Sequence, residues 1–332
     1  MLGNHKLTIG LIFGGTSHER EVSLSTGKTV AKNLNKAKYE VLPIEISQSG
    51  KWLTESETIK QISSGSIAKN ELVVFSPQKH KIDLAFLALH GKGGEDGVIQ
   101  GMLESMNIKY TGSGVSASAI AMDKAKNKIL VSSKGVTVCR HRLVNKDNFN
   151  NLNNENLDNQ KVVVKPNKQG SSFGVSIISG KENILNAIKD ALLYDDEVMV
   201  EDFIEGREFT VPVLGNEKPS ALPVIEIRPK KSHFFDYKSK YEDGGAEEIV
   251  PAKISEDLRK DLQKISLQVH SILGCKGVTR SDFIVDKLNN IYFLEINTIP
   301  GMTPTSLVPK SALAFGMSFQ ELLDKIIELS LE

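Results

Sequence analysis

The sequence predicts an α/β chain of two or three domains with a parallel sheet in its first third. At 332 residues, 40% of them hydrophobic, the chain has apolar material for more than one core. Strand and helix signals alternate along the first third, the pattern of β-α-β units. Residues 280–297 switch to a two-residue alternation, the period of an antiparallel ribbon.

Taken in order, Leu7 to Phe13 reads as a buried strand, Gly14-Gly15-Thr16-Ser17 as a turn and Glu21 to Asn33 as a helix. Tyr39 to Ile46 and Leu84 to Leu89 are further strands. A loop that follows a strand of such a sheet lies at its carboxyl edge, where ligands bind. Thr111-Gly112-Ser113-Gly114 marks a domain boundary. The helix signal from Ser116 to Ser132 opens a middle domain with strands at Lys161 to Lys165 and Val198 to Phe203. Asn145 to Gln160 is Asn-rich and poor in apolar residues, which predicts a solvated loop or linker with no role in chemistry. The last domain runs from about Glu201 to an amphipathic helix at Phe319 to Leu331. The expected division is therefore 1–113, 114–200 and 201–332.

Lys plus Arg and Asp plus Glu both number 41, so nothing in the charge balance points to nucleic acid or an anionic membrane as partner. Cys139 and Cys275 are too few for a disulfide framework or a Cys-rich metal site, and read as small buried hydrophobes. The apolar run at Leu7 to Phe13 is too short for a signal-peptide core or a membrane span, so a cytoplasmic protein is expected.

The richest segment is Arg280-Ser281-Asp282-Phe283-Ile284-Val285-Asp286, a turn at Lys287-Leu288-Asn289-Asn290, then Ile291-Tyr292-Phe293-Leu294-Glu295-Ile296-Asn297. Folded as a hairpin, it puts Arg280, Asp282, Glu295 and Asn297 on one face and Phe283, Val285, Tyr292, Leu294 and Ile296 on the other. Carboxylate and amide oxygens gathered on a sheet face are hard ligands of the kind Mg²⁺ takes. The same alternation also fits an ordinary half-exposed hairpin with solvated charges. The stiff Pro300-Gly301-Met302 turn follows, its Gly301 leaving an N–H free to approach a ligand closely. Gly27-Lys28-Thr29 ends like a P-loop, but that motif needs glycine at position 22, where this chain has Val22.

Arg280, Asp282, the Glu295-x-Asn297 pair and the Pro300-Gly301-Met302 turn together resemble the ATP-grasp ligases, and within them the D-alanine:D-alanine ligase family. The resemblance runs through nearly the whole chain. It implies an ATP-grasp fold behind an N-terminal Rossmann-like domain, and the ATP-dependent joining of two D-alanine molecules, via an acyl phosphate, into D-alanyl-D-alanine for peptidoglycan synthesis. It further implies ATP, two Mg²⁺ ions that Mn²⁺ can replace, and a homodimer.

The resemblance also assigns residues. Asp282, Glu295 and Asn297 would hold the metal ions, and Lys124, Lys165 and Lys240 would meet phosphates together with the Gly170-Ser171-Ser172 loop. Glu201 would lie near the adenine and Glu208 on the ribose. Glu19, in the first glycine turn, would receive the ammonium of the first D-alanine beside His90, and Glu19, Ser171 and Tyr241 would form a hydrogen-bonded chain. Arg280 and the Gly301 N–H would stabilise an oxyanion, and Ser306 with Leu307 would hold the second substrate. The Asn167-Lys168-Gln169 sequence departs from the family's common centre, and is expected to matter little if backbone amides bind the phosphate. The Lys240-Tyr241 pair favours D-alanine over D-lactate or D-serine as acceptor. A regulator that binds nucleotide without catalysis is the reading from another class, and it is disfavoured because every position needed for chemistry is filled by a competent residue.

Overall fold

The computed structural model describes residues 6–54, 59–60, 81–154, 160–170, 173–229 and 246–332. The first layer holds β1 (Leu7–Gly14), α1 (Arg20–Asn33), β2 (Tyr39–Ile46), β3 (Trp52–Leu53), β4 (Leu84–Leu87), α2 (Val98–Ser105) and β5 (Lys109–Tyr110). Its sheet runs β3-β2-β1-β4-β5, parallel except for the antiparallel edge strand β3. The predicted β-α-β pattern is thus realised, and the loops after β1 and β4 lie together at the carboxyl edge.

Next come α3 (Val115–Met122), α4 (Lys124–Ser132), β6 (His141–Asn145), a 3₁₀ turn at Phe149–Asn154, β7 (Lys161–Pro166), β8 (Ser176–Ser179), α5 (Lys181–Ala191) and β9 (Glu197–Asp202). The single helix expected over Ser116 to Ser132 is two helices. Asp123 leaves helical geometry (φ −84°, ψ 93°) and its side chain accepts from the Lys126 N–H, so it caps α4. Strands β6-β9-β7-β8 make an antiparallel sheet whose Val162, Val164, Val198 and Val200 pack with Ile184 and Ile188 of α5. The Asn-rich segment is not wholly solvated, because Leu152 of the 3₁₀ turn is buried in this same core.

The third sheet is formed by β10 (Gly206–Leu214), β11 (Ser220–Ala221), β12 (Ile225–Pro229), β13 (Ala246–Ile249), β14 (Val278–Asp286) and β15 (Ile291–Asn297), with α6 (Glu256–Ile272) between β13 and β14. Its order is β13-β12-β10-β14-β15, and β11 pairs with β10. Helix α6 covers one face together with α3 and α4, burying Phe209, Val211, Leu262 and Val269. Two final helices, α7 (Leu307–Ala314) and α8 (Phe319–Leu331), return to the first sheet. A capping box between Ser318 and Glu321 starts α8, which packs on α1, β4 and β5, and its Leu322, Leu323, Ile326 and Ile327 join the core that holds Ile9, Leu11 and Phe13 of β1.

The β14–β15 hairpin corrects one detail of the sequence reading. Near the turn the pairs are Val285↔Ile291 and Phe283↔Phe293, whereas beyond a β-bulge they are Asp282↔Glu295 and Arg280↔Asn297. The Asp286 carboxylate accepts from the Leu288 and Asn290 N–H groups and widens the turn by one residue, and the bulge then restores the expected register. Consequently Phe293, not Tyr292 or Leu294, shares the core face with Phe283, their rings edge to face at 5.9 Å. Leu294 turns instead to the cleft on the opposite face.

Phe293→Ala is therefore expected to destabilise the protein by about 3–5 kcal/mol in urea unfolding, with a clearly smaller loss for Leu294→Ala. Equal losses would contradict the bulged register.

Candidate active site

Two cavities flank the polar face of the hairpin. The larger, about 570 Å³, lies between the two antiparallel sheets and is lined by Lys165, Phe173, Glu201 and Glu208 among others. The smaller, about 500 Å³, lies between the first layer and the hairpin, and its wall includes Glu19, His90, Arg280, Gly301, Ser306 and Leu307. Lys124 and Asp282 border the first cavity and Asn297 the second, while Glu295 borders both. Every predicted site residue among those described thus lines one or both cavities. Ser171, Ser172, Lys240 and Tyr241 lie outside the described residues.

At the junction, Arg280 forks onto Asp282, with Nε donating to Oδ1 at 3.0 Å and Nη2 to Oδ2 at 2.8 Å. Thr210 also donates to Asp282 Oδ1, and Asn297 Nδ2 faces Oδ2 at 3.4 Å. Lys124 Nζ stands 3.4 Å from Glu295 Oε2 and donates to the Gln169 carbonyl at 2.6 Å. Among the described residues no group of three or more His, Cys, Asp or Glu side chains is placed to hold a metal ion. The donor set nevertheless fits a hard divalent cation, since Asp282 and Glu295 are cross-strand neighbours and Asn297 can supply an amide oxygen.

The larger cavity has a charged floor. Glu201 is buried, and its carboxylate is held by the ammonium groups of Lys128 and Lys165. Burial alone would raise the Glu201 carboxyl, but the two lysines override it and hold it at about 2. Burial works against the Lys165 ammonium, yet Glu201 and then Glu295 keep its pKa above the ordinary lysine value. Asn167 is buried and ties β7 to the start of α4, its Oδ1 accepting from the Ala125 N–H at 3.0 Å and its Nδ2 donating to Asp123 Oδ1 at 2.9 Å. The Asn167 side chain is thus a structural tie.

In the smaller cavity, Glu19 ends the loop that leads into α1. A Cβ at Gly91 or at Gly170 would stand 2.5 Å or 2.6 Å from Glu19 Oε2, so both backbones close on this carboxylate, and at Gly91 the φ of +74° also favours glycine. His90 is buried, bonded through Nε2 to Thr26 Oγ1 at 3.0 Å, and burial lowers its pKa to about 4. Glu95, which the sequence reading left without a role, accepts from the Gly91 N–H at 2.8 Å and lines the same wall. Burial and then the neighbouring Glu19 push its carboxyl well above the usual range. Ser306 stands at the N-cap position of α7, its hydroxyl accepting from the Thr303 N–H at 3.0 Å in the turn before the helix. A Cβ at Gly301 would stand 2.9 Å from the Ser306 hydroxyl, so the turn lies close against Ser306. An ion pair between Glu248 of β13 and Lys310 of α7 closes this end, and no sequence pattern announced it.

Lys128 was also missed, although its spacing of four residues from Lys124 places the two lysines on one helical face.

The buried histidine generates a pH dependence. His90 is neutral in the fold down to about pH 4, whereas an unfolded chain takes up the proton near 6.5. The unfolded state binds more protons in that window, so this stability is full above 6.5 and is lost as pH falls toward 4. His270, also lowered to about 4, acts in the same direction. Each contributes at most about 3 kcal/mol, and His90→Gln is expected to flatten the fall in unfolding free energy between pH 6.5 and 4. An unchanged slope would contradict a neutral buried His90.

Comparison with known proteins agrees along the chain. A family profile for the D-ala D-ala ligase N-terminus matches residues 8–113, and one for the D-ala D-ala ligase C-terminus matches residues 130–328. The D-alanine–D-alanine ligase of Carboxydothermus hydrogenoformans is 41% identical over 332 residues, 98% of this chain and 99% of its own. That of Clostridium beijerinckii is 42% identical, with 98% and 99% covered. Among solved structures, the VanG D-Ala:D-Ser ligase of Enterococcus faecalis superposes with a TM-score of 0.83 at 32% identity, covering 98% of this chain and 100% of that one. The D-alanine–D-alanine ligase of Bacillus anthracis complexed with ATP gives 0.76 at 34% identity, covering 98% and 97%. The fold is the ATP-grasp fold behind a Rossmann-like parallel sheet, and the chain belongs to the D-alanine–D-alanine ligase family.

Proposed function

We propose that the two cavities are the nucleotide and amino-acid halves of one ligase site, in which ATP drives the joining of two D-alanine molecules into D-alanyl-D-alanine, a peptidoglycan precursor. One observation carries the reading: Glu295 borders both cavities, with the Lys124 ammonium at 3.4 Å. A phosphoryl group passing from nucleotide to carboxylate must cross such a junction.

ATP occupies the larger cavity. Lys124 and Lys165 meet its phosphates, joined by Lys240 and the Ser171-Ser172 loop, while Glu208 takes the ribose and the strand end at Glu201 lies near the base. In the smaller cavity Glu19 receives the ammonium of the first D-alanine, with His90 beside it. The carboxylate of that D-alanine attacks the γ-phosphorus and ADP leaves, giving an acyl phosphate. The second D-alanine, held at Ser306 and Leu307, attacks the acyl carbon through its deprotonated amine, and phosphate departs. Arg280 and the Gly301 N–H face the oxygen that carries charge in that tetrahedral state, a contribution worth roughly 10²–10³ in rate per donor. Glu19, Ser171 and Tyr241 orient the first substrate. Asp282, Glu295 and Asn297 would hold Mg²⁺, which when bound neutralises charge on the transferring phosphoryl group.

Among the described residues no helix is long and apolar enough to cross a membrane. The family resemblance supports a cytoplasmic homodimer as the working form.

Phosphate release from ATP and Mg²⁺ is expected with D-alanine and not with L-alanine, and D-alanine is expected to outcompete D-serine and D-lactate as acceptor in product analysis. Glu295→Gln is expected to reduce turnover to background while leaving the melting transition in place, because a neutral amide would not supply the negative charge that is to hold Mg²⁺ there. Near-normal turnover in that variant would remove the junction from the mechanism.

A further inference from the structure

Lys128 has no part in the roles set out above, yet its side chain is fully buried (0% exposed). It extends from α4 so that Nζ stands 2.5 Å from Glu201 Oε1 and 3.3 Å from the Phe293 carbonyl of β15. Lys165 pairs with the other carboxylate oxygen, Oε2. The three groups alternate in sign, ammonium, carboxylate, ammonium. Lys165 and Glu201 line the larger cavity, and Lys128 sits behind them.

A lysine without solvent contact costs several kcal/mol of desolvation, and a buried pair does not reliably return it. Charge balance gives Lys128 a reason to be there. Glu201 with Lys165 alone would be a neutral pair, and the Lys165 charge would be spent on the carboxylate. With a second ammonium on the far oxygen, the array carries one net positive charge. The ammonium at the cavity wall is that of Lys165. The Phe293 carbonyl fixes Lys128 to the strand that also carries Glu295, so the array is held in register with the junction of the two cavities.

We propose that Lys128 is a positioning residue that neutralises Glu201 from behind and thereby leaves the Lys165 charge available to the phosphate groups of a nucleotide in the larger cavity. The inference rests on that cavity being the nucleotide site.

Calorimetric titration of ADP and of adenosine into the full chain, in the presence of Mg²⁺, tests it. Lys128→Met keeps the length and apolar stem of the side chain and removes the charge. It is expected to weaken ADP about tenfold, equivalent to about 1.4 kcal/mol, while leaving adenosine unchanged. Lys128→Arg is expected to retain ADP affinity. Adding Glu201→Gln to Lys128→Met is expected to restore ADP binding, since no carboxylate then competes for Lys165, whereas a filler role predicts further loss. If Lys128→Met does not fold, Glu201→Gln alone decides, because it leaves two uncompensated ammonium groups and is expected to bind ADP more tightly than the wild type. Unchanged ADP affinity in Lys128→Met, equal losses for ADP and adenosine, or a double variant weaker than the single one would each overturn the proposal. Failure of the wild type to bind ADP would instead overturn the assignment of the cavity.

Discussion

Asp282 faces Glu295 across the β14–β15 pair because one extra residue is taken up between Asp282 and Phe283 on one strand and Phe293 and Glu295 on the other. The pairing near the turn, continued without that bulge, would set Glu295 opposite Ser281, on the face that carries Phe283 and Val285 into the core. A carboxylate there would be buried among apolar side chains at a cost of several kcal/mol. With the bulge, the same strand delivers Phe293 to the core and Leu294 and Glu295 to the cleft. The placing of Glu295 beside Asp282 and its contact with Lys124 follow from this one irregularity, which couples hydrophobic packing to the polar site in this sheet.

The charges around the hairpin are organised by desolvation. Glu201, Lys165, Glu95 and His90 are all withdrawn from solvent, and each has its protonation set by what replaces water. Where a counter-charge is in contact, as at Glu201, the ionised form is held firmly. Where burial meets no counter-charge in contact and a like charge is the neighbour, as with Glu95 beside Glu19, the neutral form is favoured. One carboxylate is thus a fixed anion while another, in the adjoining cavity, is poised to carry a proton. Such a separation is a recurrent sign of catalytic sites.

Much of this was legible in the chain itself, because strand periodicity, glycine loops and charge alternation are local signals. The hairpin face bearing Arg280, Asp282, Glu295 and Asn297, the strand-to-loop turn before Glu19 and the amphipathic helix at Phe319–Leu331 could all be read from spacing. What escaped depends on the bonding choice of single side chains or on contacts between distant segments. The bulge arises from Asp286 binding two turn amides, a side-chain choice that alternation alone does not encode. The Glu248–Lys310 pair joins residues 62 positions apart, and Asn167 meets Ala125 across 42. The break at Asp123 turns on a competition between capping and continuing a helix, which a hydrophobic pattern does not decide.

The packing of α8 onto the first sheet has a consequence for synthesis. The parallel sheet of the first hundred residues finishes its apolar layer only with Leu322, Leu323, Ile326 and Ile327. A ribosome making roughly 5–20 residues per second needs on the order of 10–40 s to extend the chain across the intervening 200 or so residues. During that interval α1 covers this flank of the sheet only in part, and the area that α8 will bury stays exposed. A chain that stops before α8 would leave that area exposed for good, so the last helix completes the core of the first sheet.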